Sequence, residues 1–136
     1  MSQENVELLR RCFAIANERG VDAAADAFGH LLDDEFGLEE ATDMPDRDSY
    51  QGKDAFIANM KKLEQDFDQL RIQPLEFVDL GEKLVVVVSM AGRGRASGAP
   101  VELTFAQLWT LREGKAVSLH DYASKAEALE AVGLQG

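Results

Sequence analysis

The stretch Leu84–Val88, LVVVV, constrains the fold of this chain more than any other. It joins a leucine to a run of β-branched valines, whose side chains fit a pleated surface better than a helix. At five residues it is strand-sized, far short of the ~18 apolar residues that a membrane-crossing helix needs. Turn residues bound it on both sides. Gly81–Glu82 precedes the strand expected over Lys83–Ala91, and GRGRASGAP (Gly92–Pro100) follows as a hairpin tip. Leu70–Val78 reads as the preceding strand, with Pro74 marking an edge or a bulge. Val101–Leu111 and Lys115–Ala123 read as a second hairpin around Glu113–Gly114.

The N-terminal part has a different period. Val6, Leu9, Phe13 and Ala16 recur at helical spacing after Ser2, and Gly20 is a natural stop. A second helix is expected from Asp22, closed by Leu31 and Leu32. A short strand follows over Phe36–Glu40, then a polar loop over Thr42–Ser49. A third helix from Lys53 carries Phe56, Met60, Leu63 and Phe67 on one stripe. Ser124 and Glu127 form a capping box for a last helix through Val132. Helices set apart from an antiparallel meander predict an α+β domain spanning 1–136, its helices on one face of a bent sheet.

Composition removes several functions. With 25 acidic and 14 basic residues the formal charge is −11, which disfavours nucleic acid and anionic membranes as partners. Cys12 is the single cysteine, so no internal disulfide forms and a thiolate metal site is excluded. The opening MSQENVELLRR lacks the apolar core of a signal peptide, and a cytoplasmic location is expected. His30 and His120 are too scattered to suggest a metal, and no phosphate-binding glycine loop or nucleophile elbow is present.

His120 and Asp121 adjoin, but consecutive strand residues face opposite ways, so they cannot act as a base and its orienter. Val117, Leu119 and Asp121 form the more apolar row, which points Asp121 inward and His120 outward. Desolvation there would raise the Asp121 pKa and suit it to carry a proton. The alternative leaves it wet at the strand end near Ser124. Gln107 shares a row with Leu103, Phe105, Trp109 and Leu111, where its amide either orients a ligand carbonyl or is satisfied by a backbone neighbour. Trp109, Phe105 and Phe36 form either an aromatic ligand wall or plain core. Arg93 and Arg95 are a basic spot in an acidic chain, read as a solvated hairpin tip with contact to an anion or a dimer mate as the alternative.

The element order, with YQGKDAF (Tyr50–Phe56), FAQLWTLREGK (Phe105–Lys115) and SKAEALEAVGL (Ser124–Leu134), resembles the SnoaL-like branch of the nuclear transport factor 2-like superfamily. The resemblance implies a cone in which N-terminal helices pack on a strongly curved, mainly antiparallel sheet, a cystatin-like roll. It also implies an apolar pocket and a homodimer. By this resemblance Gly114 and Lys115 fit the run preceding the cyclases' aspartate and Asp121 the aspartate itself, whereas Ala116, Ser118 and His120 depart from the run. Glu40 resembles in position alone the isomerases' proton-abstracting aspartate, with Ala41 where they have a proline, while Gln107 resembles their protonated aspartate and Phe13 a helix-1 tyrosine.

Lacking that hydroxyl, the chain should not be a ketosteroid isomerase. The expectation is a pocket for a hydrophobic or aromatic small molecule, lined by Phe13, Phe36, Leu38, Phe105, Trp109 and Leu119. Asp121, Glu40 and Gln107 would be the catalytic set of a cyclase or isomerase that needs neither cofactor nor metal. The alternative is a non-catalytic ligand-binding or dimerisation module.

Overall fold

The computed structural model of the protein describes residues 2–39 and 49–133. Among them lie four helices, α1 (Ser2–Arg19), α2 (Val21–Leu31), α3 (Lys53–Asp66) and α4 (Lys125–Ala131). The six strands are β1 (Leu32–Glu39), β2 (Ser49–Gln51), β3 (Phe67–Asp79), β4 (Lys83–Gly94), β5 (Pro100–Arg112) and β6 (Lys115–Tyr122). The sheet runs β2-β1-β6-β5-β4-β3, with β1 parallel to β6 and every other pair antiparallel.

Apolar spacing explains each helix. Leu9, Cys12 and Phe13 bury the inner stripe of α1, and Ala24, Phe28 and Leu31 that of α2. Gly20 joins them at φ +88°, a region that carries no steric cost for glycine. Its N–H donates to the Ala16 carbonyl and its own carbonyl accepts from Ala24, so one residue ends α1 and starts α2. Among the boundaries that differ from the sequence reading are the ends of α2 and α3. Leu32 leaves α2 with extended angles and opens β1, and Phe67 does the same after α3 to open β3. Both are apolar at a helical interval and so read equally well as a last turn.

The sheet carries two cores. Leu84, Val86 and Val88 of β4 face the main core under α1–α3, while Val85 packs with Ala106, Leu108, Ala128 and Leu129 under α4. The LVVVV run does not alternate because both of its faces are covered. This corrects the expectation that all helices share one face, since α4 lies on the opposite one. Ser124 caps α4 by accepting from the Glu127 N–H at 3.2 Å, and Glu127 accepts in return from Ala123. Pro74 lies on edge strand β3, where the register breaks and Leu75 bulges into solvent.

Candidate functional site

The concave face of β5 and β6 forms the floor of a cavity of about 130 Å³, roofed by α1, α2 and α3. Trp109 is buried in its wall, stacked on Phe28 with ring centroids 6.1 Å apart. Phe13 meets Phe28 edge-on at 6.2 Å, and Phe56 meets it at 5.4 Å. Such tilted and edge contacts suit rings with negative faces and positive rims, and they leave little freedom to the wall.

Two polar groups interrupt this apolar lining from the sheet. Gln107 and Asp121 are direct cross-strand partners of β5 and β6, and both line the cavity. Gln107 Oε1 accepts a hydrogen bond from Trp109 Nε1 at 3.0 Å, which fixes the amide and satisfies a buried indole. Asp121 Oδ1 is screened from solvent. Asn59, from α3, supplies a third polar group to the lining.

The strand geometry places the expected residues unevenly. Phe13, Phe105, Gln107, Trp109, Leu119 and Asp121 all line the cavity. Phe36 does not: it is fully buried behind Phe56 and Trp109, at 5.5 and 6.3 Å, and backs the wall. Leu38 pairs through its backbone with Leu119 and Tyr50. Glu40 and most of the expected Thr42–Ser49 loop lie outside the described residues.

A register break between Thr110 and Leu111 makes Val117 the bulged residue, so Ala116 takes its expected place against the core. Downstream the alternation resumes. Leu119 and Asp121 face in, while His120 faces out opposite Leu108 and stacks on Tyr122 at 6.4 Å.

Other lining residues escaped the sequence reading as site residues, among them Phe28, Phe56, Asn59, Met60 and Ile72. Phe56 and Met60 were legible as a helical stripe, but a stripe does not distinguish core from cavity wall. Asn59 lies three residues after Phe56 and four before Leu63, and that polar break in the stripe was the available signal.

The basic pair at the hairpin tip is not simply solvated. Arg93 donates to the Gly98 carbonyl, and Arg95 pairs with Asp68 and donates to the Glu64 carbonyl at 3.1 Å. His30 lies 3.7 Å from Asp26 on the surface. Among the described residues no group of three or more His, Cys, Asp or Glu could hold a metal ion. None of the described helices is long and apolar enough to cross a membrane.

Comparisons with known proteins agree with this architecture. The model of the SnoaL-like domain family matches residues 9–119, and the chain belongs to that family. Among solved structures it is similar to a protein of Jannaschia sp. CCS1 provisionally designated a SnoaL-like polyketide cyclase. The two are 19% identical over 89% of this chain and 85% of that one, with a TM-score of 0.75. A nuclear transport factor 2-like protein of unknown function from Burkholderia pseudomallei is 20% identical over 96% and 98% of the two chains, with a TM-score of 0.72. TerC, co-crystallised with polyporic acid, is 18% identical over 96% and 98%, with a TM-score of 0.70. At these identities the likeness establishes the α+β cone fold. Comparison with curated protein sequences gave no match.

Proposed function

We propose that the protein binds a small hydrophobic or aromatic carbonyl compound in the cavity beside Trp109 and moves a proton on it without a cofactor. The observation that carries this reading is the Gln107–Asp121 pair, an amide and a carboxyl side by side in an otherwise mainly apolar cavity. Asp121 takes a proton from the carbon next to the carbonyl and returns it to the product, so no other reagent is consumed. Gln107, with its oxygen committed to Trp109, offers its amide N–H groups to the carbonyl oxygen. Support also comes from TerC, a structural neighbour co-crystallised with a small molecule. The same reading makes the protein a cytoplasmic homodimer, from its single cysteine and the family resemblance; a monomeric mass in light scattering would remove the dimer.

A second reading, a binding module without chemistry, is favoured by Phe13, which lines the cavity with no hydroxyl to stabilise an oxyanion. Acetophenone in D₂O separates the two, because its methyl protons exchange through the enol. The enzyme reading expects the wild type to speed exchange above the buffer rate and Asp121→Asn to lose at least about 100-fold while still binding the ketone. Binding without faster exchange in the wild type would leave only the binding module.

A further inference from the structure

A second cavity, of about 250 Å³, opens between the α1–α2 junction, α3 and β3, and neither Gln107 nor Asp121 lines it. The two cavities share four wall residues, Ala16 of α1, Met60 and Leu63 of α3, and Ile72 of β3. They are therefore neighbouring chambers divided by those side chains. The partition is firm on one side and soft on the other. Ile72 is held through its backbone by Asn17, which donates to its carbonyl at 2.9 Å and accepts from its N–H at 3.1 Å. Met60 faces it with an unbranched thioether that changes shape at little cost.

The strand is distorted where it borders the outer chamber. Asp68 pairs with Arg93 and Arg71 with Ala91, so Gln69 and Leu70 together oppose Gly92 alone. Gln69 adopts φ +55°, an uncommon conformation for a side-chain-bearing residue. A Cβ on Gly92 would stand 3.1 Å from the Asp68 carbonyl oxygen and 3.3 Å from Leu70 Cα, so glycine is what lets the bulge close. Bulges re-aim side chains, and strained backbone persists where its surroundings hold it in place. Here Gln69 and Leu70 both line the outer chamber.

Size and charge restrict the occupant. A dry apolar cavity of ~150 Å³ holds one benzene ring, so the inner chamber alone takes about one ring. Only with the outer chamber does the space reach the ~300 Å³ at which ordinary small-molecule sites begin. Arg95, at the outer rim, is neutralised by Asp68, and Glu64 lines the same rim. That balance does not favour an anion.

We propose that the two chambers form one site, whose ligand is an elongated, uncharged molecule. One aromatic ring lies beside Trp109, and an apolar arm passes Met60 to end near the Gln69 amide. This rests on the inner chamber being a ligand site, as proposed above.

The test compares phenol, a single ring, with uncharged N-phenyl-1-naphthylamine and the anionic 8-anilinonaphthalene-1-sulfonate. Val21 lines only the outer chamber. Val21→Phe should weaken the naphthylamine at least about tenfold and leave phenol within about twofold, and the sulfonate should bind wild type about tenfold more weakly than the naphthylamine. Should Val21→Phe not fold, amide NMR on the wild type decides, because the naphthylamine, and not phenol, must shift Gln69 and Leu70. Unchanged naphthylamine affinity in Val21→Phe, or bound naphthylamine without those shifts, overturns the shared site. Equal affinity for the sulfonate overturns the uncharged ligand. Phenol binding without naphthylamine binding sinks this proposal alone, whereas failure of all the probes sinks the inner site with it.

Discussion

Gln107 on β5 and Asp121 on β6 are register partners on the concave face of the sheet, and the Gln107 amide oxygen holds the indole N–H of Trp109 at 3.0 Å. A single amide thus ties the carboxyl-bearing edge of the cavity to its largest aromatic wall. Gln107→Leu removes the acceptor and strands a buried indole donor, which costs roughly 1–3 kcal/mol. Urea unfolding followed by the emission of Trp109, the only tryptophan, measures the loss directly.

Asn17 fastens edge strand β3 to α1 through both backbone groups of Ile72. In Asn17→Ala these groups lose their side-chain partners, and about 1–3 kcal/mol of stability should go with them. Hydrogen exchange at the Ile72 amide should accelerate in this variant more than exchange at β4 or β5 amides, because an edge strand opens locally. Equal acceleration across the sheet would show that Asn17 acts on global stability instead.

Burial pushes the Cys12 thiol up from 9.0 to about 11, against a smaller opposing pull from the Arg11 guanidinium. Between those pH values the unfolded chain releases its proton first, so the native state loses stability as pH rises. Below about pH 9 the contribution is complete, and by about pH 11 up to roughly 2–3 kcal/mol is gone. The stability difference between wild type and Cys12→Ala should therefore drift in favour of the variant across this window. A constant difference would mean that the thiol titrates alike in both states.

Gly20 is open to a quieter test. No atom lies within 4 Å of where its Cβ would be, so Gly20→Ala meets no clash and feels only the φ of +88°. With ψ at −175° the residue occupies a backbone region that essentially only glycine adopts, which costs an alanine about 1–3 kcal/mol. Thermal unfolding should report that loss with the fold unchanged.

The parts of the fold legible in the sequence are those set by near neighbours. Helical stripes, the Ser124–Glu127 cap and the four long strands all follow from spacing within a dozen residues. The facing of Asp121 was readable too, because the bulge at Val117 lies upstream and leaves the alternation of Leu119, His120 and Asp121 intact. What was illegible depends on distant partners. Strand β2 is three residues long and exists by pairing with β1, while β1 lies parallel to β6, more than 80 residues away in the chain. The apolar residues of α4 suit either face of the sheet, and only the second apolar row, Val85, Ala106 and Leu108, decides for the outer one. Within the site, Phe36 sits a layer deeper than its spacing suggests, because Phe56 from α3 comes between it and the cavity.

The parallel seam between β1 and β6 also orders events during synthesis. The ribosome releases β1 early, yet its neighbour emerges more than 80 residues later, carrying Asp121 with it. Until then the cavity lacks the wall formed by Leu119 and Asp121, and β5 lacks one of its two strand partners. A nascent chain stalled before Lys115 therefore cannot complete the cavity, which closes only after β6 has left the exit tunnel.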